Sequence, residues 1–501
     1  MKQLAGKNIL VLGLGASGLA LARWCARSGA QVTVADTRAA PPQLEALRAQ
    51  VPGATFMQAE MGEALLATAA FDLLLKSPGL SPATVAGVVN AAAARGMACG
   101  NELSLFAQAL AELKADQAYA PQVIGITGTN GKTTVTTLTA LLVQCAGKSV
   151  AVAGNIGPTL LDTLAEKIDE SLGGQALPEV WVLELSSFQL DGIDNFEPTV
   201  ATVLNITQDH LDWHETLPAY IAAKAHVYGR SGVMLLNRDD PLVMAALPPL
   251  VKGKQLRNYL TFGSDEPRRP GDYGIETVNG MAWLVRAAQA DETVKRRKQE
   301  DEVLYVQRLM PLDALRIRGR HNATNALAAL GLAAAVGCSL APMLHGLREY
   351  RGEPHRLESV AVLNEIEYFD DSKGTNVGAT VAALVGLGLD RKLVVILGGE
   401  GKGQDFSPLL EPVSRYVRAV VLIGRDAPLI RSALNASEVP LLDAPSMSDA
   451  VRLAAQQARS GDAVVLSPAC ASFDMFDNYE RRAQVFCDAV QSLAHEQGAL
   501  L

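Results

Sequence analysis

Along the chain, short runs of β-branched residues and leucine alternate with longer alanine- and leucine-rich stretches, and most of the short runs end in glycine or small polar residues. Asn8 to Leu12, Gln31 to Ala35, Val123 to Ile126, Val180 to Leu185, Val200 to Ile206 and Val233 to Asn237 are brief and almost continuously apolar. That pattern predicts strands buried on both faces, whereas the stretches that follow several of them, such as the one ending near Ser28 and Thr133 to Val143, predict helices. Strand signals resume at Glu367 to Phe369, Leu393 to Leu397 and Ala463 to Leu466. Strands alternating with helices predict an α/β fold built on parallel sheets.

The rhythm breaks twice. Gly96 to Asn101, before an alanine-rich helix and Pro121, marks one boundary, and Gly352 with Pro354 inside Arg351 to Arg356 marks the other. Domains are therefore expected at residues 1–100, 101–353 and 354–501. The charged stretch Asp291 to Glu302 lacks apolar periodicity over most of its length and reads as a solvated excursion. Two apolar stretches resemble membrane signals. Ile9 to Ala22 carries three glycines, too many for a signal peptide, and Ala326 to Leu344 is diluted by alanine, glycine and Pro342, so it predicts a buried helix instead of a span.

Composition sharpens this picture. With 501 residues, 49% of them apolar and 19% charged, the chain is too long for one core and too apolar for disorder. A formal charge of −9, with Lys295 to Lys298 as the one basic run, lacks the footprint of a nucleic-acid binder. Six cysteines without a C-x-x-C pair indicate buried thiols in a reducing cytoplasm and no zinc framework.

Candidate chemistry sits at the ends of the predicted strands. Val123 to Thr134 reads V-I-G-I-T-G-T-N-G-K-T-T, a strand followed by a glycine-bearing turn and a helix. Such a turn lets successive N–H groups converge on a phosphate, with Lys132 as a point charge and the Thr133 hydroxyl placed for magnesium, so ATP is expected here. The glycines miss strict P-loop spacing by one position. Earlier, Gly13-Leu-Gly-Ala-Ser-Gly18 opens a helix between two strands, and Asp36 ends the second, a Rossmann-like unit that suits UDP, ADP or NAD equally. Thr37, Arg38, Lys76 and Ser77 add polar groups at later strand ends.

Glu184 ends another predicted strand, where a carboxylate suits magnesium, and Asp209, His210 and Asp212 follow the next. His210 and His214 have the spacing of zinc ligands on a helix but lack the intervening glutamate and a third ligand. Composition alone makes Lys224 a solvated helix lysine. Asn322 and Asn325 share a helix face, placed either to meet a nucleotide or to cap the helix. In the last third, the loops at Asp370 to Asn376, Gly398 to Lys402 and Ser467 to Ser472 each follow a strand and could converge on a small molecule.

Taken together, Thr127-Gly-Thr-Asn-Gly-Lys-Thr133, Gly154-Asn-Ile-Gly157, Leu183-Glu-Leu-Ser-Ser-Phe-Gln189, His321-Asn-x-x-Asn325, Asp371-Ser-Lys-x-Thr-Asn376 and Ser467-Pro-Ala-Cys-Ala-Ser472 resemble the Mur ligases, over nearly the whole chain. The resemblance implies three α/β domains: a Rossmann-like UDP-binding domain, a central P-loop-type ATPase domain and a C-terminal Rossmann-like domain that binds an amino acid. The branch it points to joins D-glutamate to UDP-N-acetylmuramoyl-L-alanine through an acyl phosphate, in cytoplasmic peptidoglycan precursor synthesis.

The same resemblance implies site residues. Gly128, Thr129, Asn130, Gly131, Lys132, Thr133 and Thr134 would hold ATP with Asn322, Asn325, Arg356, Asp371 and Lys373. Thr133 and Glu184 would hold one Mg²⁺, and His210 with a carbamylated Lys224 a second, Lys132, Glu184, His210 and Lys224 being the catalytic set. Ala16, Ser17, Asp36, Thr37, Arg38, Ser77, Asn155 and His210 would hold the UDP substrate. D-glutamate would meet Thr375, Lys402, Ser472 and Tyr479, although the family carries phenylalanine where Tyr479 stands. A monomer without nucleic-acid or membrane partners is expected. Competing readings are a ligase of the same superfamily with another amino acid or folate, an NAD-dependent dehydrogenase, and a non-catalytic nucleotide binder.

Overall fold

A computed structural model describes residues 2–289, 304–389 and 391–498, so the excursion Asp291 to Glu302 lies outside the described residues. Among the described residues four sheets carry the fold, three of them in α/β layers that follow one another along the chain. The first is all parallel, ordered Thr55–Gln58, Gln31–Asp36, Asn8–Leu12, Leu73–Lys76, Ala98–Gly100. The second is also parallel, with Gln122–Thr127 between Val200–Val203 and Val180–Glu184, and with Val233–Asn237, Tyr259–Phe262 and Val150–Gly154 outside them. The third runs Glu358–Leu363, Ile366–Asp370, Ala463–Leu466, Leu393–Gly398, Val417–Ile423, Leu441–Asp443, parallel except for its antiparallel first edge.

The continuous apolar runs form these strands because both faces are covered: Ile124, Ile126, Val182 and Leu235 pack beneath the alanine-rich helix Arg320–Ala335. Small side chains let that helix lie close to the sheet. A glycine at 331 serves the same end, since a Cβ there would stand 3.1 Å from Leu235.

Three elements differ from expectation. The predicted strand Val200 to Ile206 stops at Val203, where the chain turns toward the phosphate loop and Thr129 N donates to Asn205 O at 2.9 Å. The predicted helix over Ala326 to Leu344 is two helices, Arg320–Ala335 and Leu340–Glu349, broken where Gly337 takes φ +80°. An antiparallel sheet, Tyr273–Val278, Met281–Gln289 and Leu304–Pro311, was not expected at all.

Candidate functional site

The central strand Gln122–Thr127 lies where the order of its sheet reverses, which opens a crevice at the carboxyl ends of the strands. Residues 128–131 turn there into the helix Lys132–Cys145. Gly131 adopts φ +82°, and a Cβ on it would stand 2.8 Å from Asn325 Oδ1, so this position needs glycine for conformation and for space.

Two lysines converge on the loop. Lys132 Nζ donates to Gly128 O and Thr129 O, each at 2.8 Å. Lys224, 2% exposed on the helix Leu217–Ala225, donates to Gly128 O at 2.8 Å and to Thr127 Oγ1 at 3.4 Å. Burial pushes the pKa of Lys132 down and that of Lys224 well down, and the charge on Lys132 adds to the effect on Lys224.

Facing them, Glu184 ends its strand with 2% exposure. Its Oε1 accepts from Asn155 Nδ2 at 2.9 Å, while its Oε2 is buried without a hydrogen-bond partner among the described residues. A carboxyl oxygen left open in this way fits a cation. Thr133, the other residue expected at that ion, instead accepts from Arg356 NH2 at 2.6 Å.

His210 takes φ +53° just before the short helix Leu211–His214, its ring edge-on to Phe188 with centroids 4.8 Å apart. Burial lowers its pKa against the opposing pull of Asp209, which favours the neutral imidazole. His214 contacts Ser187 Oγ at 2.9 Å, and His210 stands before the helix at φ +53°, so the two lack the placement of zinc ligands one turn apart on a helix.

Beside the loop, a cleft of about 260 Å³ is lined by Asn130, Gly131, Thr134, Asn322, Asn325, Arg356, Asp371 and Lys373. The structure thus brings together phosphate-loop residues, both asparagines and the three residues expected from the last domain. Asn325 Nδ2 donates to Asn322 Oδ1 at 3.2 Å, which fixes one face of the helix toward the cleft. Asp371 accepts from Ser467 Oγ at 2.7 Å, and burial raises its pKa to about 7. His321, Phe262, Asn237, Thr207 and Leu357 also line this cleft and were missed. His321 belongs to the His321-Asn-x-x-Asn325 motif, whereas Phe262 ends a four-residue strand too short to give a pattern.

On the first sheet, Ala16 and Ser17 open the helix Ala16–Arg27, and a Cβ at Gly18 would stand 2.0 Å from Gly13 O. Asp36 ends one of the strands beside Asn8–Leu12 and Ser77 directly follows the other, with Thr37 and Arg38 directly after Asp36. Asp36 accepts from Leu14 N at 2.8 Å and from Arg38 Nε and NH2 at 2.9 and 2.8 Å, and Arg38 with burial's opposing effect sets its pKa at about 2.

On the third sheet, three adjacent strands deliver the loops of Thr375, Ser472 and Lys402. Lys402 lies 5.5 Å from the Phe473 ring centroid. Tyr479 opens the helix Tyr479–Glu496, its carbonyl accepts from Ser372 Oγ at 2.8 Å, and its ring centroid stands 4.9 Å from Lys373 Nζ. A metal-competent cluster elsewhere, His355, Glu358 and Asp370, is occupied by its own contact of 2.7 Å between His355 Nδ1 and Asp370 Oδ2.

Three family models match in order: the Mur ligase MurD-like N-terminal domain over residues 7–100, the Mur ligase middle domain over 126–333 and the Mur ligase glutamate ligase domain over 355–470. A UDP-N-acetylmuramoylalanine–D-glutamate ligase of Albidiferax ferrireducens is 66% identical, covering 100% of this chain and 99% of its own. One of the same name from a Polaromonas species is 59% identical, covering 100% of both. Among solved structures, a MurF ligase from Thermotoga maritima in complex with ADP superposes with a TM-score of 0.56 at 16% identity, over 99% of this chain and 97% of that one. At that identity the likeness is one of fold. Full-length relatives at such identity, and three domain models in the order of the three sheets, give one result: the chain belongs to the Mur ligase family.

Proposed function

We propose that the three layers, residues 1–100, 101–353 and 354–501, hold a UDP-linked carboxylate, ATP and an amino acid, and that the phosphate loop stands between them. The enzyme is an ATP-dependent ligase that adds D-glutamate to UDP-N-acetylmuramoyl-L-alanine in peptidoglycan precursor synthesis. It works in the cytoplasm as a monomer. None of the helices among the described residues is long and apolar enough to cross a membrane. The dehydrogenase reading of Gly13 to Asp36 leaves Lys132, Glu184 and the third layer without a task.

In the first step the L-alanyl carboxylate takes the γ-phosphoryl group, giving ADP and an acyl phosphate. In the second, the amine of D-glutamate adds to the acyl carbon, phosphate leaves with the C–O bonding pair, and the nitrogen loses a proton to give the amide. Phosphoryl transfer asks mainly for position and charge neutralisation, which a cradle of amides and buried cations supplies. Gly128 to Thr134 hold the phosphates, with Lys132 released from the loop carbonyls to face them. Asn322, Asn325, Arg356, Asp371 and Lys373 orient the nucleotide. Ala16, Ser17, Asp36, Thr37, Arg38, Ser77, Asn155 and His210 hold the UDP substrate, and Thr375, Lys402, Ser472 and Tyr479 the D-glutamate.

The donor set suits magnesium. Thr133 and Glu184 would hold one ion, and His210 and Lys224 a second. Lys224 qualifies only as a carbamate, and its depressed pKa favours the neutral amine that adds to CO₂ with loss of a proton. Bound Mg²⁺ would neutralise the phosphate charge. The observation that carries this reading is the unpartnered, buried Oε2 of Glu184 close to two buried lysines.

The test is phosphate release that requires ATP, Mg²⁺, UDP-N-acetylmuramoyl-L-alanine and D-glutamate together. Turnover with L-lysine, diaminopimelate or L-alanine in place of D-glutamate would overturn the substrate assignment. Lys132→Ala should lose activity by at least about 100-fold, since a preorganised charge acts chiefly on the transition state.

A further inference from the structure

Arg482 is 1% exposed, one of the largest fully buried side chains in the protein. It makes no ion pair with any described residue, and burial lowers its pKa to about 10. A buried guanidinium is tolerated only when its N–H groups find acceptors, and these find three on loops distant in sequence. Nε donates to Ser372 Oγ at 3.0 Å, NH2 to Ser372 O at 2.7 Å and NH1 to Cys470 O at 3.0 Å. Ser372 Oγ in turn donates to the carbonyl of Tyr479 at 2.8 Å.

The consequence is geometric. Ser372 lies between Asp371 and Lys373 and three residues before Thr375, Cys470 lies two residues before Ser472, and Arg482 shares the first turn of its helix with Tyr479. One planar group thus ties together three segments that carry three of the four residues assigned to D-glutamate. We propose that Arg482, acting through Ser372 and Cys470, is a positioning residue for the D-glutamate pocket, holding Thr375, Ser472 and Tyr479 in the mutual placement that the amino acid needs. The role rests on the D-glutamate reading of that pocket. Loops placed by a rigid fork keep a binding geometry that a flexible ammonium could not impose.

Arg482→Lys keeps the charge but cannot reach three acceptors in one plane, and Ser372→Ala removes the hydroxyl that joins Arg482 to Tyr479. Both variants should raise KM for D-glutamate by about tenfold, with a smaller rise for ATP because Ser372 stands between Asp371 and Lys373, while KM for the UDP substrate stays within about twofold. Acyl phosphate formed without D-glutamate, trapped by hydroxylamine as the hydroxamate, should keep its wild-type rate in both. A purely structural role would instead lower the hydroxamate rate and shift all three KM values together, which would overturn the proposal. An unchanged KM for D-glutamate in both variants would overturn it as well. Thr375→Val separates the two layers of inference: if it leaves KM for D-glutamate unchanged, the pocket assignment fails and takes the proposal with it, whereas a raised KM there beside an unchanged one in Arg482→Lys and Ser372→Ala removes the positioning role alone.

Discussion

The two seams between the three layers are built differently. At the first, one apolar cluster runs through both layers: Leu19, Ala22, Leu103 and Phe106 pack with Leu160, Leu164, Trp181 and Leu183. Ion pairs reinforce it, Arg23 to Asp162 at 3.0 and 2.5 Å, Arg27 to Asp169 at 2.7 and 2.5 Å, and Lys76 to Asp191 at 2.8 Å. At the second seam the third layer keeps its own clusters. There the contacts noted are small or polar: Arg356 on Thr133, Asn376 Nδ2 on Asn130 Oδ1 at 3.1 Å, and the His321 ring close against Gly386. A shared core makes two layers move as one, whereas a polar seam with a cleft in it can be closed by whatever fills the cleft. The difference predicts that the first two layers move together and that the third closes on the second.

The comparison breaks most visibly in the core of the first seam. Phe106 is fully buried and meets Trp181 edge-on, ring centroids 5.2 Å apart at 76°. Phe106→Ala should cost about 3–5 kcal/mol. All four tryptophans, Trp24, Trp181, Trp213 and Trp283, precede the third layer, so fluorescence-monitored urea unfolding reads the first two layers alone. A single cooperative transition moved to lower urea is expected. Two separated tryptophan transitions would show that the seam is not one core.

The second seam should respond in activity and not in stability. Arg356 donates to Thr133 Oγ1 across it and lines the cleft beside the phosphate loop. Arg356→Ala should lower kcat/KM for ATP by about 100-fold or more while shifting Tm by no more than about 2 °C. A large drop in Tm would mean that this contact holds the layers together even without nucleotide.

The same contrast sets what could be read from sequence. Buried parallel strands announce themselves locally, and the phosphate loop does so because Gly131 is fixed by backbone geometry. The antiparallel sheet did not, since its strands flank the charged stretch and only part of each faces a core. Lys224 is the clearest case. Its local sequence reads as a solvated helix lysine, family resemblance alone promoted it, and the fold buries it to 2% exposure. Arg482, in Tyr-Glu-Arg-Arg, and Glu102, at the start of an ordinary helix, gave no local sign of burial either. Which charged residue goes inside is decided by elements far away in sequence, and no periodicity carries that information.

Glu102 gives the finest test of the first seam. It opens the helix Glu102–Gln117, is 1% exposed, and faces both layers: Leu161 N donates to its Oε1 at 3.0 Å, the nearby Ser17 hydroxyl favours its charged form, and Oε2 is buried without a partner among the described residues. Burial raises its pKa from an ordinary 4.5 to about 7, more than these hydrogen bonds lower it. Between those values the folded chain holds a proton that the unfolded chain has lost, so this group's contribution to stability falls as pH rises from about 4.5 to about 7 and is constant above. The full loss is at most about 3 kcal/mol. Glu102→Gln resembles the protonated acid and titrates in neither state. The variant should therefore gain on the wild type between pH 5 and pH 8, read as the difference in urea midpoint of the tryptophan transition at the two pH values. An offset equal at both would mean that the carboxyl group ionises inside the seam at no cost, and that the seam admits more water than a single core allows.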